Sequence, residues 1–335
     1  MSPNRNRTPR TVQFASFGDA GVLDIVEMPP PVAGPGEVVV EVLAAGVNHV
    51  EAFLRQGRFT DELPVDLPAR QGTDFAGLVT SIGPGVTSFA RGSEVLGHTS
   101  MASHATHIVV PQSHLVAKPP SLEWEVAGSL FLAGLAASEA IRRVRVNRGD
   151  TVVISAAAGG VGSMEAHLAM NAGATVIGTC GERNFDYLRQ IGVKPVVYGD
   201  GLADRIREIA PRGVDAYIDN FGEYNKAVAD DLGVSASRFQ SSENRRDIEL
   251  RAMRPGPEDV AAQTSTLARL AGLAAERKVR VLISGFYPFD QVREAFDDLE
   301  KKHSRGKVVL GMRPVDNSFH GLGGRKVRDI HESSA

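Results

Sequence analysis

The chain has 335 residues, more than one ordinary hydrophobic core absorbs, so two domains are expected. It is 42% hydrophobic and 23% charged, and no apolar run approaches the ~18 residues of a membrane span. A net charge of −3 gives no long-range pull toward nucleic acid, and the single cysteine, Cys180, excludes intrachain disulfides and multi-cysteine metal sites.

The opening segment MSPNRNRTPR is polar and lacks the apolar stretch of a secretory signal, so a cytoplasmic enzyme or binding protein is expected. Residues 1–10 read as a flexible tail. From Thr11 to about Leu115 the segments are short, valine-rich and punctuated by glycine and proline. Strands are predicted at Glu37–Leu43, Phe75–Ile82, Glu94–Gly97 and His107–Val110, which describes a compact β-rich domain. Beyond Lys118–Pro119–Pro120, from about Trp124, helix and strand alternate. Helices are predicted at Ala133–Arg142, Val161–Asn171, Asn184–Ile191 and Leu202–Ile209. Strands are predicted at Thr151–Ser155, Thr175–Thr179, Pro195–Tyr198 and Ala216–Asn220. That alternation implies a parallel sheet with helices on both faces, an α/β class. Further on come a short strand at Arg238–Gln240, a helix at Pro257–Glu276, a segment at Val279–Leu282, a helix at Phe289–Lys301 and a strand at Lys307–Leu310. From Pro314 the chain reads as a second tail.

The stretch Thr151–Gly162, TVVISAAAGGVG, is a strand that runs into glycines and opens a helix. Such a turn aims backbone N–H groups and a helix N-terminus at one spot, which suits a phosphate. Its spacing is A-x-G-x-x-G, with Ala157 where the dinucleotide fingerprint usually has its first glycine. By itself the match is weak, because glycine-rich turns also serve packing.

Five segments in order extend that match: FGDAGVLDIVEMPPPVAGPGEVVVEVLAAGVN, QGTDFAGLVTSIGPGV, LVAKPPSLEWEVAGSLFLAGLAA, VVISAAAGGVG and GKVVL. On these, spanning Phe17 to Leu310, the chain resembles the medium-chain dehydrogenase/reductase superfamily in its zinc-free, quinone oxidoreductase-like (zeta-crystallin-like) branch. The resemblance implies a GroES-like catalytic domain over 11–124, a Rossmann NADP-binding domain over 125–276, and a return to the first domain over 277–313. The active cleft would lie between the two domains, with tails at 1–10 and 314–335. Zinc-dependent members carry a catalytic cysteine, a Gly-His-Glu motif and a four-cysteine lobe. Here Asn48 and Gly72–Thr73–Asp74 stand in those places and the lobe cysteines are absent, which removes the Lewis acid that alcohol oxidation needs. Hydride delivery to a quinone or an enone needs no such metal.

For NAD, an acid is expected about 20 residues past the glycine turn, on the ribose 2′-OH. The second strand here ends in Cys180–Gly181, Glu182 comes too late, and Arg183 follows. An arginine beside a small-residue turn suits a 2′-phosphate, worth roughly 1.5–3 kcal/mol in favour of NADPH. Tyr198 matches a position where the family often places a phosphate-binding tyrosine. The plainer reading is that Arg183 solvates a helix start and Tyr198 packs. The cofactor-binding candidates are Ala158, Gly159, Gly160, Val161, Gly162, Cys180, Gly181, Arg183, Tyr198 and Asn220.

The catalytic candidates are Asn48, His49 and Glu51. By resemblance Asn48 lies near the nicotinamide, although a turn asparagine can be structural. His49 and Glu51 could relay a proton; a surface charge and a partly buried histidine explain them equally well. Phe59 replaces the tyrosine of the family's Arg-x-Gly-x-Tyr stretch, and Ala136 replaces a threonine. Asp74 could simply cap a turn. His98, His104, His107 and His114 invite a metal reading, but His104 and His107 would face opposite sides of an extended chain. No metal site is expected. The family's nicotinamide loop and dimer-forming edge strand should follow Gly222, where Lys226–Pro257 is instead shorter and polar; Ser241–Arg245 could replace the loop. The function implied is NADPH-dependent reduction of a quinone or α,β-unsaturated carbonyl. The substrate would be a small molecule, and the family's homodimer is the assembly to consider, with neither nucleic acid nor membrane as partner. The alternative is a non-catalytic NADPH-binding redox sensor or structural protein of the same fold.

Overall fold

The computed structural model describes residues 8–222, 224–301 and 305–312. In chain order the first elements are β1 (Arg10–Phe14), β2 (Leu23–Glu27), β3 (Glu37–Val47), α1 (His49–Arg55), β4 (Ala69–Arg70), β5 (Asp74–Ile82), β6 (Glu94–His98), β7 (His107–Pro111) and β8 (Leu115–Ala117). Then follow α2 (Trp124–Ala127), α3 (Phe131–Arg143), β9 (Thr151–Ile154), α4 (Gly160–Asn171), β10 (Thr175–Cys180), α5 (Phe185–Gln190), β11 (Lys194–Val197), α6 (Leu202–Ile209) and β12 (Ala216–Ile218). The last are α7 (Asn225–Asp231), β13 (Phe239–Gln240), α8 (Ser242–Met253), α9 (Pro257–Ala275), β14 (Ile283–Pro288), α10 (Val292–Glu300) and β15 (Lys307–Gly311).

The β-rich part is a small sheet β2-β1-β4 and a seven-stranded sheet, with path β14-β15-β3-β5-β6-β8 and β7 paired to β3. Its central strand, β3, is longer than predicted, and every residue from Val42 to Val47 is buried. Gly46 lets the sheet close on its surroundings, because a Cβ there would lie 2.9 Å from both Asp74 Oδ2 and the Ser129 Cα. The other part is a parallel sheet in the order β11-β10-β9-β12-β13. Along β9, Val152 and Ile154 pack into one apolar cluster and Val153 into another, so both faces are covered. The order reverses between β9 and β12, and that switch point is where open α/β sheets bind ligands. The expected α/β class, with one β-rich sheet and one doubly wound parallel sheet, is borne out.

The chain then returns. β15 pairs antiparallel with β3, Val308 opposite Val47, so the end of the described chain lies against the start of α1. Just before β15, Gly306 forms a parallel bridge with Gly159 and its N–H donates to the Ala158 carbonyl at 3.0 Å. One loop thus ties the glycine turn to the seven-stranded sheet.

Several expectations need correction. The segment Val279–Leu282, given no type from sequence, is irregular: Val279 and Val281 pack into the apolar cluster beneath α3 and α9, and the strand that follows is Ile283–Pro288. The tail expected over 1–10 ends sooner, since Arg10 already pairs with Glu27; residues 1–7 and the tail over 314–335 lie outside the described residues. The polar stretch after β13 is a helix, α8, capped by the Ser241 side chain at Asn244 N and burying Ile248, Leu250, Ala252 and Met253. Among the described residues the parallel sheet ends at the two-residue β13, with no longer edge strand beyond it. No helix among them is long and apolar enough to cross a membrane.

Candidate active site

Asn48 sits where β3 hands over to α1, in extended backbone conformation at the helix N-cap. Its backbone N–H donates to Glu51 Oε2 at 2.9 Å, a reach-back that satisfies one of the donors a helix start leaves open. Its amide Nδ2 donates to Glu51 Oε1 at 3.3 Å and to Asp74 Oδ2 at 3.5 Å, and its Oδ1 accepts from Lys307 Nζ. An amide has two N–H groups, so both are spent inside the protein and only the oxygen retains accepting capacity.

Asp74 opens β5 and is fully buried; its Oδ1 accepts from Leu132 N at 3.0 Å, at the first turn of α3, where a negative charge is favoured. Burial pushes its carboxyl up to about 6, against the pull of Lys307. Glu51 is likewise fully buried and raised by desolvation, with the Asn48 N–H opposing. Lys307, 4% exposed, donates to the Val47 carbonyl at 3.3 Å as well as to Asn48, and its Nζ is 3.9 Å from Asp74 Oδ2. His104 completes the floor: its Nε2 donates to the Gly46 carbonyl at 2.9 Å, and burial lowers its pKa to about 4, so the ring is neutral. Of the three catalytic candidates, Asn48 and Glu51 belong to this cluster. His49 is half-buried and stacks on Phe53 at 6.4 Å.

Of the four histidines only His98 and His114 meet, and they do so as stacked rings. His98 lies between His114 (4.6 Å) and Phe131 (4.2 Å), and burial takes its pKa down to about 3. Its Nε2 donates to Thr264 Oγ1, whose one proton goes to the Ser113 carbonyl. His107 meets the Thr106 hydroxyl instead. No group of three histidine, cysteine, aspartate or glutamate side chains among the described residues could hold a metal ion.

The glycine turn fits a dinucleotide. Ala156 holds a left-handed φ of 49°, and Gly159 is the N-cap of α4, whose N-terminus no side chain caps. The N–H groups of Gly160, Val161 and Gly162 therefore lack intrahelical partners. A Cβ on Gly162 would lie 2.5 Å from the Ala156 carbonyl, so a side chain there would fill the cradle. Ala157 in place of a glycine is accommodated across the sheet: Gly178 on β10 leaves room, since a Cβ there would lie 2.6 Å from that of Ala157. Ala158 gives its carbonyl to Gly306. Cys180, buried, ends β10, and desolvation pushes its thiol up to about 11. Gly181 follows, with the exposed Tyr198 ring beside it: a Cβ on Gly181 would lie 3.8 Å from the Tyr198 hydroxyl. Arg183 is exposed on the turn before α5. Sequence reasoning did not single out Arg305, whose Nη2 donates to the Arg183 carbonyl and whose Nε donates to Asn184 Oδ1.

Asn220 is bound within the protein. Its Nδ2 donates to the Ser155 carbonyl and to Glu165, and its Oδ1 accepts from Arg245 of α8 at 3.4 Å. Glu165 on α4 is fully buried, and desolvation pushes its carboxyl up to about 7, against the Asn220 hydrogen bond and Arg245. A folded-state pKa above the unfolded value means the native state keeps a proton the unfolded chain has lost, so stability falls as pH rises from about 4.5 to 7. Glu165→Gln is therefore expected to stabilise the fold by about 3 kcal/mol at pH 8 and by little at pH 5. Urea midpoints at the two pH values check this; an equal difference at both would contradict it.

Residues 34–120 match the family described as "Alcohol dehydrogenase GroES-like domain", and residues 191–310 the family described as "Zinc-binding dehydrogenase". Over 332 residues the chain is 26% identical to the chloroplast envelope quinone oxidoreductase homolog of Arabidopsis thaliana, covering 89% of this chain and 97% of that one. Over 324 residues it is 28% identical to the chloroplastic NADPH-dependent alkenal/one oxidoreductase of the same plant, covering 90% and 80%. The quinone oxidoreductase structure from Coxiella burnetii superposes with a TM-score of 0.76 at 27% identity, over 92% of this chain and all of that one.

Proposed function

The chain belongs to the medium-chain dehydrogenase/reductase superfamily of oxidoreductases, and on that premise we propose that it passes a hydride from NADPH to a quinone or an α,β-unsaturated carbonyl without zinc. The observation that carries this reading is the contact between the dinucleotide turn and the buried polar cluster. A Cβ on Gly160, at the start of α4, would lie 2.9 Å from Lys307 Cδ, while the Lys307 ammonium bonds Asn48. Transfer needs cofactor and acceptor held side by side, and this lysine spans that junction.

Gly160, Val161 and Gly162 would hold the pyrophosphate through their N–H groups, and Arg183, Arg305 and Tyr198 surround the corner where a 2′-phosphate would sit. The bound nicotinamide supplies the hydride. The chain's own part is positioning and charge. Lys307 spends two N–H groups on Val47 and Asn48 and keeps a third for the acceptor oxygen, where reduction places negative charge. Asn48, Glu51 and Asp74 fix that ammonium, and the completing proton comes from water. The donor set does not suit zinc: at the cluster an amide and two carboxylates already surround a lysine ammonium, whose charge opposes a dication. The division proposed for the chain is a catalytic domain over 11–124 and 277–313 around an NADP-binding domain over 125–276.

The first test follows absorbance of the reduced nicotinamide with an ortho-quinone in one cell and a 2-enone in another. Consumption with at least one supports the reading, and none with either, despite tight NADPH binding, overturns it. For the cofactor, Arg183→Ala is expected to weaken NADPH binding about 10–100-fold and leave NADH unchanged. Equal losses by fluorescence titration would remove its phosphate role.

A further inference from the structure

We propose that Arg58 and Arg246, both stacked against Phe59, form an anion subsite, and that the acceptor reduced here carries a carboxylate. The inference rests on reading the Lys307–Asn48 cluster as the place of reduction. The Arg58 guanidinium carbon lies 5.5 Å from the Phe59 ring centroid and 4.5 Å from that of Phe53. The Arg246 guanidinium carbon lies 4.7 Å from the Phe59 ring, reaching it from α8. Phe59 belongs to the loop after α1 and Arg246 to the segment beyond the parallel sheet, so the stack bridges the two halves of the chain.

Four observations point this stack at a ligand. The wall is continuous with the site: Asn48 precedes His49, His49 stacks on Phe53, and Phe53 meets Phe59 edge-on at 6.0 Å. Two cations against one ring repel one another, and their countercharge is thin. Arg58 is exposed and pairs with no carboxylate among the described residues; Arg246 meets its exposed neighbour Asp247 at 3.3 Å and interacts electrostatically with the exposed Glu243. The Arg246 Nε is buried without a hydrogen-bond partner, so this guanidinium is short of one bond inside the protein. Phe59 also holds a left-handed φ of 62°, a strained conformation for an aromatic residue, of the kind that clusters at ligand sites. Guanidinium forks recognise carboxylates in two-point fashion, and the ring face offers apolar cover to the acceptor's carbon chain.

The test uses the full chain with NADP+ present, so that no turnover intervenes. Calorimetry measures binding of 4-oxopent-2-enoate, a 2-enone that ends in a carboxylate, and of its primary amide. The acid is expected to bind at least about tenfold more tightly at low salt, with the preference shrinking as salt rises. In Arg58→Gln and Arg246→Gln the acid-to-amide ratio should fall toward one, while Arg246→Lys should keep part of it. Equal binding of acid and amide, an acid preference unchanged in both Gln variants, or no binding of either compound would overturn the subsite. NADPH consumption with each compound separates this from the reading it rests on. Reduction of the amide without any acid preference removes the subsite alone. An arginine-dependent acid preference without reduction of either compound removes the hydride reading and leaves the subsite.

Discussion

Lys307→Met is expected to lower kcat/KM for NADPH-dependent enone reduction by about 10²–10³-fold, the scale for loss of one preorganised donor at a developing oxyanion. Methionine keeps much of the stem that packs against Gly160 and removes the charge that meets Asn48 and faces Asp74. The same change should destabilise the fold by about 3–5 kcal/mol at pH 8, because it strands a buried carboxylate. The pH dependence has a definite sign. Burial pushes the Asp74 carboxyl up to about 6, and Lys307 is the largest influence holding it down. A raised carboxyl favours the fold while protonated and loses that contribution as pH rises through its folded pKa. Without Lys307 that loss is deeper, so the variant should differ from the parent little at pH 5 and most at pH 8. Turnover within twofold of the parent, with a pH-independent stability difference, would show that Lys307 serves packing only.

Gly306→Ala should disturb the junction from the backbone side. Gly306 holds a φ of 89°, and a Cβ there would lie 2.1 Å from the Leu282 carbonyl oxygen and 2.8 Å from its carbon. Both are main-chain atoms, so relief requires the loop to move, and this loop bonds Ala158 and carries Lys307. A stability loss of about 3 kcal/mol or more is expected, with turnover falling at least about tenfold as Lys307 shifts. Gly213→Ala is the control: its φ is 94° but nothing lies within 4 Å of its Cβ. That variant should show conformational strain alone, about 1–2 kcal/mol, with turnover intact. Equal losses in the two variants by urea unfolding would contradict the clash.

The glycine turn and the alternation after Trp124 were legible because local sequence carries them: hydrophobic period, glycine breaks and strand length. Even Ala157 becomes intelligible once Gly178 is placed opposite it, although that pairing needs the sheet register. Lys307 was visible only as part of a motif. At the start of a short strand it reads as an edge charge, and it becomes a site residue because β15 pairs with β3 and brings it to Asn48, 259 positions away. Asp74 was read as a turn cap for the same reason, since only the tertiary fold brings the α3 N-terminus and Lys307 to it. The stretch SSENRRDIELRAM reads in sequence only as polar, with Ser241–Arg245 as a stand-in for a loop, yet it folds as a partly buried helix. Its Arg245 and Glu249 turn inward, where Arg245 bonds Asn220 and lies within 3.7 Å of Glu249, while Ile248, Leu250 and Met253 supply the apolar contact. Composition cannot show a charge answered by a partner eighty positions away, as Arg245 is by the unusual buried Glu165.

The most direct measurement of the central claim is isotopic. NADPH carrying deuterium at the nicotinamide C4, on one face in one sample and on the other face in a second, is incubated with the protein and a 2-enone, and the product is analysed by mass. Direct hydride transfer beside Lys307 predicts deuterium on the acceptor's β-carbon from one of the two labelled samples, with the protein required for its appearance. Product without deuterium from either sample, or bound NADPH that is never consumed, would contradict it and leave a nucleotide-binding protein of the same fold.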